Sequence, residues 1–164
     1  MTGKFHIGGK DFAQEPYVYR ISGLDDVVLL NGFSREATDY GEGVAIENVD
    51  NLHRAIALHI VSTKKALNPR EFRFLRREME MTQNELSSAL GVDGQTVARY
   101  EKGQTGITGP VDRLLRFLFV FNLLPKDMQA EVIERAREAI ERDEVTEHSP
   151  SFIEEEGSWF EACA

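Results

Sequence analysis

The segment from Thr82 to Gly103, TQNELSSALGVDGQTVARYEKG, constrains the fold more than any other part of this chain. Its pattern predicts two short helices joined by a tight turn. Thr82 is placed to cap the first helix, and Glu85 three residues later completes a capping box. Gly91 ends that helix where the backbone needs a positive φ. Asp93 then caps the second helix, and Gly103 follows its last turn.

The apolar residues of this segment recur at helical spacing and predict one buried face on each helix. They are Leu86, Ala89 and Leu90 in the first helix and Val97 and Tyr100 in the second. Three polar residues, Gln95, Thr96 and Arg99, are left on the outer face of the second helix.

The outward residues have the chemistry of base readout. Glutamine forms two hydrogen bonds with the edge of adenine, and arginine forms two with guanine or binds a phosphate. Threonine hydrogen-bonds a base or a phosphate, or contacts the methyl group of thymine. This pattern predicts that the second helix enters a DNA major groove. The alternative is a small helical hairpin whose outer face is only solvated, because amphipathic helix pairs are common.

The composition predicts a globular protein of one domain or two small ones. The chain has 164 residues, of which 41% are hydrophobic, and its one cysteine, Cys163, excludes an internal disulfide. No stretch approaches the roughly 18 apolar residues of a membrane span. The first ten residues lack the apolar run of a secretory signal. We therefore expect a cytoplasmic protein with no membrane association.

The formal net charge of -9 is unexpected for a DNA-binding protein, but the charges are unevenly distributed. Residues 64–116 carry 10 Lys or Arg and 7 Asp or Glu, whereas residues 1–63 carry 5 and 9 and residues 117–164 carry 4 and 12. The positive third is the one that holds the two helices. A local basic face attracts phosphate because charges beyond about 8 Å are screened at physiological salt.

The predicted fold class is α+β, and residues 1–66 supply its β part. Alternating apolar residues within 17–47 predict a small antiparallel sheet of three or four strands. Asn31-Gly32 is typical of a hairpin turn between two of them. A helix over about 50–62 is expected to cover this sheet.

Residues 67–143 predict an all-α domain of five helices, of which the last covers 126–143. Residues 144–164 form an acidic tail that we expect to be disordered. Trp159 and Phe160 are unusual in a purely solvated tail.

From residue 67 to about residue 118 the sequence resembles the phage Cro/repressor-type (Xre) helix-turn-helix domains. The motifs that carry the resemblance are Phe74-Leu75-Arg76, Met81-Thr82-Gln83-Asn84-Glu85-Leu86, Leu90-Gly91-Val92, Gln95-Thr96-Val97 and Arg99-Tyr100-Glu101-Lys102-Gly103. The resemblance implies a DNA-binding domain and says nothing about the operator.

The resemblance also implies roles for single residues. The residues expected to contact DNA are Gln83, Gln95, Thr96, Arg99 and Lys102. Gln83 is expected to contact a phosphate through its side chain or backbone, and Lys102 to hold the DNA backbone. Arg76 and Glu101 match a pair that forms an internal salt bridge in Xre domains, so we expect a structural role for them.

The segments GLDDVVLLNGF, YGEGVAIENVDNLHRAIA and LNPREFRFLRREMEMTQNEL resemble the MqsA-like antitoxin and regulator family. In that family a zinc-binding, YgiT-type domain with two Cys-x-x-Cys pairs precedes the Xre domain. This chain has no cysteine before Cys163, and a structural zinc site needs four Cys or His ligands. His53 and His59 are six residues apart, on different sides of a helix. We therefore expect no metal and no cofactor, and a sheet held by apolar packing.

Together these features predict a sequence-specific transcription regulator, a repressor that reads double-stranded DNA with helix 94–102. Xre-type domains bind palindromic operators as two-fold pairs, so we expect a homodimer. The alternative is an antitoxin that neutralises a toxin protein through its N-terminal domain and represses its own operon. A ligand-sensing regulator is a third hypothesis. No catalytic constellation stands out, so we expect no enzymatic activity.

Three further features have two interpretations each. Lys64-Lys65 is a solvated linker or a phosphate contact. The phenylalanines of RLLRFLFVFNL form core or a dimer surface, or else a base-stacking platform. Asp25-Asp26 belongs to a solvated turn or to a catalytic carboxylate pair.

Overall fold

The fold was analysed in a computed structural model, and it is α+β as predicted. The structure describes residues 5–7, 9–12, 14–39, 41–123, 128, 134, 135, 138, 139 and 150–162. The chain divides into two compact units, one made of residues 1–56 and 147–164 and the other of residues 57–146.

Within the described residues, the first unit contains eight short strands. These are β1 (Phe5–Ile7), β2 (Lys10–Phe12), β3 (Tyr17–Val18), β4 (Val28–Leu29), β5 (Phe33–Thr38), β6 (Gly41–Ile46), β7 (Ser151–Glu155) and β8 (Ser158–Glu161). Strands β1 and β2 form one antiparallel hairpin, and β5 and β6 form another. The remaining four strands form a sheet in the order β3-β4-β7-β8.

The predicted single sheet within residues 17–47 is therefore divided, and the predicted hairpin at Asn31-Gly32 is wrong. Strand β4 before this dipeptide pairs with β3 and β7, whereas β5 after it pairs with β6. The side-chain amide of Asn31 donates to the carbonyl of Glu154 at 2.9 Å, and its oxygen accepts from the Glu154 N–H at 2.5 Å. Asn31 thus hydrogen-bonds the backbone of strand β7 instead of closing a hairpin turn.

The predicted disorder of residues 144–164 is also wrong where that tail is described. Strand β7 pairs in parallel with β4, and β8 folds back antiparallel on β7. The reason is apolar burial, because Phe152 is 1% exposed, Ile153 is 7% exposed and Trp159 is 5% exposed. The acidic residues around them stay on the surface, so the average composition of the tail concealed its buried face.

Trp159 anchors this C-terminal hairpin. Its indole N–H donates to the carbonyl of Glu47 at 3.1 Å. Its ring lies so close to Gly32 that a Cβ at that glycine would overlap the ring. The side-chain amides of Asn48 and Asn51 both donate to the carbonyl of Gly157 at the tip of the hairpin. The first unit is therefore closed by contacts between distant parts of the sequence.

Helix α1 (Val49–Thr63) lies where a covering helix was predicted. Its first half belongs to the first unit and buries Leu52 and Ile56, and its second half belongs to the second unit and buries Ile60 and Val61. Buried residues at this spacing form the apolar stripe of an amphipathic helix.

The second unit continues with α2 (Pro69–Glu78), α3 (Gln83–Leu90), α4 (Gly94–Glu101) and α5 (Gly109–Leu123). The side chain of Asn68 caps α2 in a complete capping box with Glu71. Phe72 and Leu75 on α2 and Leu115 on α5 are fully buried. The fifth helix predicted for this domain, over 126–143, lies largely outside the described residues.

A buried ion pair holds α5 in the second unit. Nε of Arg116 lies 2.6 Å from Oδ1 of Asp112, and Nη1 donates to the carbonyls of Ile60 at 3.1 Å and Val61 at 2.7 Å. The other oxygen of Asp112 accepts from the Leu67 N–H at 2.6 Å. This arginine is 2% exposed and lies in a phenylalanine-rich segment. It therefore ties α5 both to the end of α1 and to the residues before α2.

We expect Arg116→Ala to lower the free energy of unfolding of the second unit by about 3–5 kcal/mol, because it removes the ionic partner of the buried Asp112 carboxylate. Urea unfolding followed by far-ultraviolet circular dichroism measures this loss. The matched control is Arg113→Ala on the same helix, an exposed arginine whose removal should change stability by less than about 0.5 kcal/mol. Equal effects of the two substitutions would contradict this role for Arg116.

Gly32 and Gly23 both have positive φ, +69° and +82°, but an added Cβ meets Trp159 only at Gly32. We expect Gly23→Ala to cost about 1–2 kcal/mol through backbone strain alone. Gly32→Ala should cost about 1–3 kcal/mol more through overpacking. Trp159 is the single tryptophan, so its fluorescence during urea unfolding reports on this unit. Equal losses of unfolding free energy in the two variants would show that the contact between Gly32 and Trp159 does not affect stability.

Candidate nucleic-acid interface

Helix α3 begins at the predicted capping box. The Thr82 hydroxyl accepts from the Glu85 N–H at 3.2 Å, and the Glu85 carboxylate accepts from the Thr82 N–H at 2.7 Å. The hydrogen bond from the Thr82 backbone lowers the pKa of the Glu85 carboxyl. The start of α3 is therefore fixed by its own sequence.

The turn between α3 and α4 also follows the sequence. Gly91 has φ +66° in the left-handed region, and Asp93 caps α4 by accepting from the Gln95 N–H at 2.6 Å. A Cβ added at Gly94 would lie 2.9 Å from the Asn84 side-chain oxygen, so the two helices approach closely there. The turn between α3 and α4 thus depends on two glycines and one capping carboxylate.

The buried faces of α3 and α4 agree with the prediction except at one residue. Leu86, Leu90, Val97 and Tyr100 are all less than 9% exposed. Ala89 is exposed, and Ser87 is buried in its place. On a helix of 3.6 residues per turn, Ala89 lies roughly 100° from the centre of the stripe formed by residues 86, 87 and 90.

The predicted base-reading residues lie together on α4. Gln95 and Arg99 are exposed and Thr96 is half-buried. Nη2 of Arg99 donates to Oε1 of Gln95 at 3.4 Å, one turn apart. A bond this long is weak, so both side chains remain available to a ligand. Lys102 is exposed directly after the last turn of the helix.

The structure places Gln83 differently from the other expected contacts. Its side-chain amide donates to Oε2 of Glu101 at 2.8 Å, so the side chain is turned toward the protein. Its backbone N–H lies in the first turn of α3, where the N–H groups of a helix have no intrahelical acceptor. Of the two expected routes to a phosphate, this geometry favours the backbone.

Arg76 and Glu101 form a two-point ion pair. Nε of Arg76 lies 2.5 Å from Oε1 of Glu101, and Nη2 donates to Oε2 at 3.2 Å. Nη1 donates to the carbonyl of Met81 at 2.7 Å. Both side chains are largely buried, at 12% and 5% exposed. Together with Gln83, this ion-pair cluster joins α2, the start of α3 and the end of α4.

The carboxyl of Glu101 has a lowered pKa. Burial alone raises its pKa, but the hydrogen bonds from Arg76 and Gln83 and the nearby positive charges outweigh that effect. The charged form of Glu101 is therefore the form that the folded protein stabilises.

Two further observations concern other kinds of site. In the part of the chain that the structure describes, His, Cys, Asp and Glu form no group of three or more that could hold a metal ion. No helix among the described residues has the length and apolar character needed to cross a membrane.

We expect the second unit to lose stability in acid through Glu101. Its pKa is lowered on folding, so its contribution is full above the ordinary glutamate range and is lost as the pH falls through the folded pKa. Glu101→Gln should flatten this acid dependence and cost roughly 3–5 kcal/mol at neutral pH, because Arg76 loses its ionic partner. Thermal unfolding by circular dichroism between pH 3 and pH 7 measures both effects.

Arg76→Lys serves as the conservative comparison. It keeps the positive charge but loses the two-point geometry of the guanidinium, so part of the acid dependence should remain. If Glu101→Gln kept the full acid dependence of the parent protein, the ion pair would not be its source.

Comparison with known proteins gives one match. Residues 72–111 match the family model described as helix-turn-helix, of the Xre type. No curated protein and no solved structure matches the chain. The matched residues run from α2 to the start of α5 and include the capped turn, the ion-pair cluster and the exposed face of α4. Residues 72–111 are thus similar to a helix-turn-helix of the Xre type, and this match supports a DNA-binding transcription regulator.

Proposed function

We propose that this protein is a sequence-specific repressor that binds double-stranded DNA as a homodimer and inserts α4 into the major groove. The observation that carries the proposal is the arrangement of α4. Its inner face is fixed by Val97, Tyr100 and the ion pair to Glu101, while Gln95 and Arg99 are exposed on its outer face. A rigid helix with a free polar edge is the arrangement that direct readout requires.

In this proposal the contacts divide into two kinds. Gln95, Thr96 and Arg99 reach base edges, or phosphates beside them, and supply specificity. Lys102 and the backbone N–H of Gln83 hold phosphates and set the register of the helix on the duplex. Phosphate contacts position a protein on DNA, whereas base contacts specify the sequence.

The proposed homodimer has support on α5. Phe117 and Phe121 are 46% and 52% exposed, and their ring centroids lie 4.1 Å apart on the outer side of the helix. A tilted aromatic pair left in solvent is typical of a surface that associates. A two-fold dimer would place its recognition helices about 34 Å apart in successive major grooves, on a palindromic operator.

An antitoxin role remains the second candidate, and the charge distribution favours it. Residues 1–56 and 147–164 together carry 5 Lys or Arg and 14 Asp or Glu, whereas residues 57–146 carry 14 of each. The first unit therefore holds the whole formal charge of -9. Such a unit repels DNA and attracts a basic protein, as neutralisation of a basic toxin would require.

We expect Arg99→Ala to relax specificity at one base position, at a cost of about 1–3 kcal/mol for the preferred base. Lys102→Ala should weaken all sequences alike and lower the slope of log affinity against log salt by about 1. Both are measured by selecting bound duplexes from a random pool and titrating the preferred sequence at two salt concentrations.

The control for these variants is Arg54→Ala, which removes an exposed arginine outside the helix-turn-helix and should leave affinity and specificity unchanged. Uniform weakening by Arg99→Ala would assign that side chain to a phosphate. If no duplex were retained over random competitor, the proposed function would be wrong.

A further inference from the structure

The β5–β6 hairpin is a two-stranded ribbon, so each strand has an outer edge. The register is continuous over six pairs, from Phe33↔Ile46 to Thr38↔Gly41. Beyond it, the Glu47 N–H donates to the carbonyl of Gly32 at 2.9 Å, which marks that pair as hydrogen-bonded. Bonded and non-bonded pairs alternate in an antiparallel ladder. The backbone groups of residues 42, 44 and 46 therefore point outward from β6.

The other edge of the ribbon, formed by β5, carries two long side-chain contacts. The side-chain amide of Gln14 donates to the carbonyl of Phe33 at 3.4 Å. The guanidinium of Arg35 reaches back to the carbonyl of Glu15 at 3.5 Å. The segment before β3 thus runs along β5, and no described strand pairs with the outer side of β6.

The β6 edge has Glu42 as its one charged residue and lacks three other features that often protect such edges. Its sequence, GEGVAI, contains no lysine and no proline, and its register with β5 contains no bulge. Exposed edges without these features are templates for an added strand. Gly41 also leaves room beside the backbone, because a Cβ at this glycine would meet nothing within 4 Å.

The charge around this edge indicates what kind of strand would be added. Glu36, Asp39, Glu42 and Glu47 are exposed on and beside the ribbon. They belong to a unit that carries the whole formal charge of -9. A second copy of the chain would bring an equally acidic unit to the same edge, whereas a basic segment would be attracted to it.

We propose that the β6 edge binds an extended basic segment of a partner protein as a third strand of the ribbon. The outward N–H and C=O groups of Glu42, Val44 and Ile46 supply the main-chain hydrogen bonds. Alternate side chains of the added strand lie beside Val44 and Ile46, where apolar residues fit, and the basic residues between them lie on the opposite face of the ribbon, which carries Glu36. Pairing of this kind takes its affinity from the backbone and its specificity from alternate side chains. The inference is independent of DNA binding.

The test uses the full-length, ¹⁵N-labelled protein and two blocked heptapeptides, one alternating Lys and Val and one alternating Glu and Val. Amide exchange is followed by NMR at each residue of β6. With the Lys-Val peptide, the outward amides of residues 42, 44 and 46 should exchange at least about tenfold more slowly, while the inward amides of residues 43 and 45 change little. The Glu-Val peptide should protect none of them.

Two variants separate edge pairing from other binding. Val44→Pro removes one outward N–H but no bond to β5, so it should abolish the protection, whereas the matched control Val44→Thr keeps the N–H and should retain it. Glu36→Lys keeps the backbone intact and reverses the charge on the face of the added lysines, so it should weaken binding of the Lys-Val peptide about threefold to tenfold.

Two results would overturn the proposal. One is unchanged exchange of the outward amides when the Lys-Val peptide is present at millimolar concentration. The other is protection of the same amides without peptide that grows with protein concentration, because a second copy would then occupy the edge. Sedimentation of the same samples detects that association directly.

Discussion

The exposed face of α4, which we propose contacts DNA, depends on the ion pair between Arg76 and Glu101. Its members lie on α2 and α4, and the side chain of Gln83 adds α3 to the same cluster. Helix α4 has eight residues, too few to be stable alone, so its position must come from such contacts. Because the cluster is largely buried and bonded at several points, it sets the direction in which Gln95 and Arg99 project. A change to the cluster should therefore alter DNA reading as well as stability.

The two units have different electrostatic character. The unit of residues 57–146 has equal numbers of positive and negative residues, and it places exposed cations on α4 and just beyond it. The other unit is strongly acidic, and among its described strands β6 has an outer edge with which no strand pairs. This division is what a protein needs if one part binds a polyanion and another binds a basic partner. It also explains how a DNA-binding chain has a formal charge of -9, since the excess charge lies outside the helix-turn-helix unit.

The sequence predicted the features whose causes are local. The caps at Thr82 and Asp93, the left-handed Gly91 and the exposed face of α4 each depend on residues within one or two turns. The long-range contacts could not be read in this way. Asn31 and Glu154 are 123 positions apart, and no local pattern connects them. In the site, the outward direction of Gln95 follows from helical period, whereas the bond from Gln83 to Glu101 depends on how α3 and α4 pack.

The most direct test of the central claim is methylation protection of guanine N7 on an operator selected from random duplexes, because N7 lies in the major groove. The account predicts protection in two half-sites about 10 base pairs apart, and loss of guanine protection at one position in each half-site with Arg99→Ala. Guanine N7 left unprotected throughout the operator, or a full major-groove footprint from a variant lacking Gln95, Thr96 and Arg99 together, would contradict it.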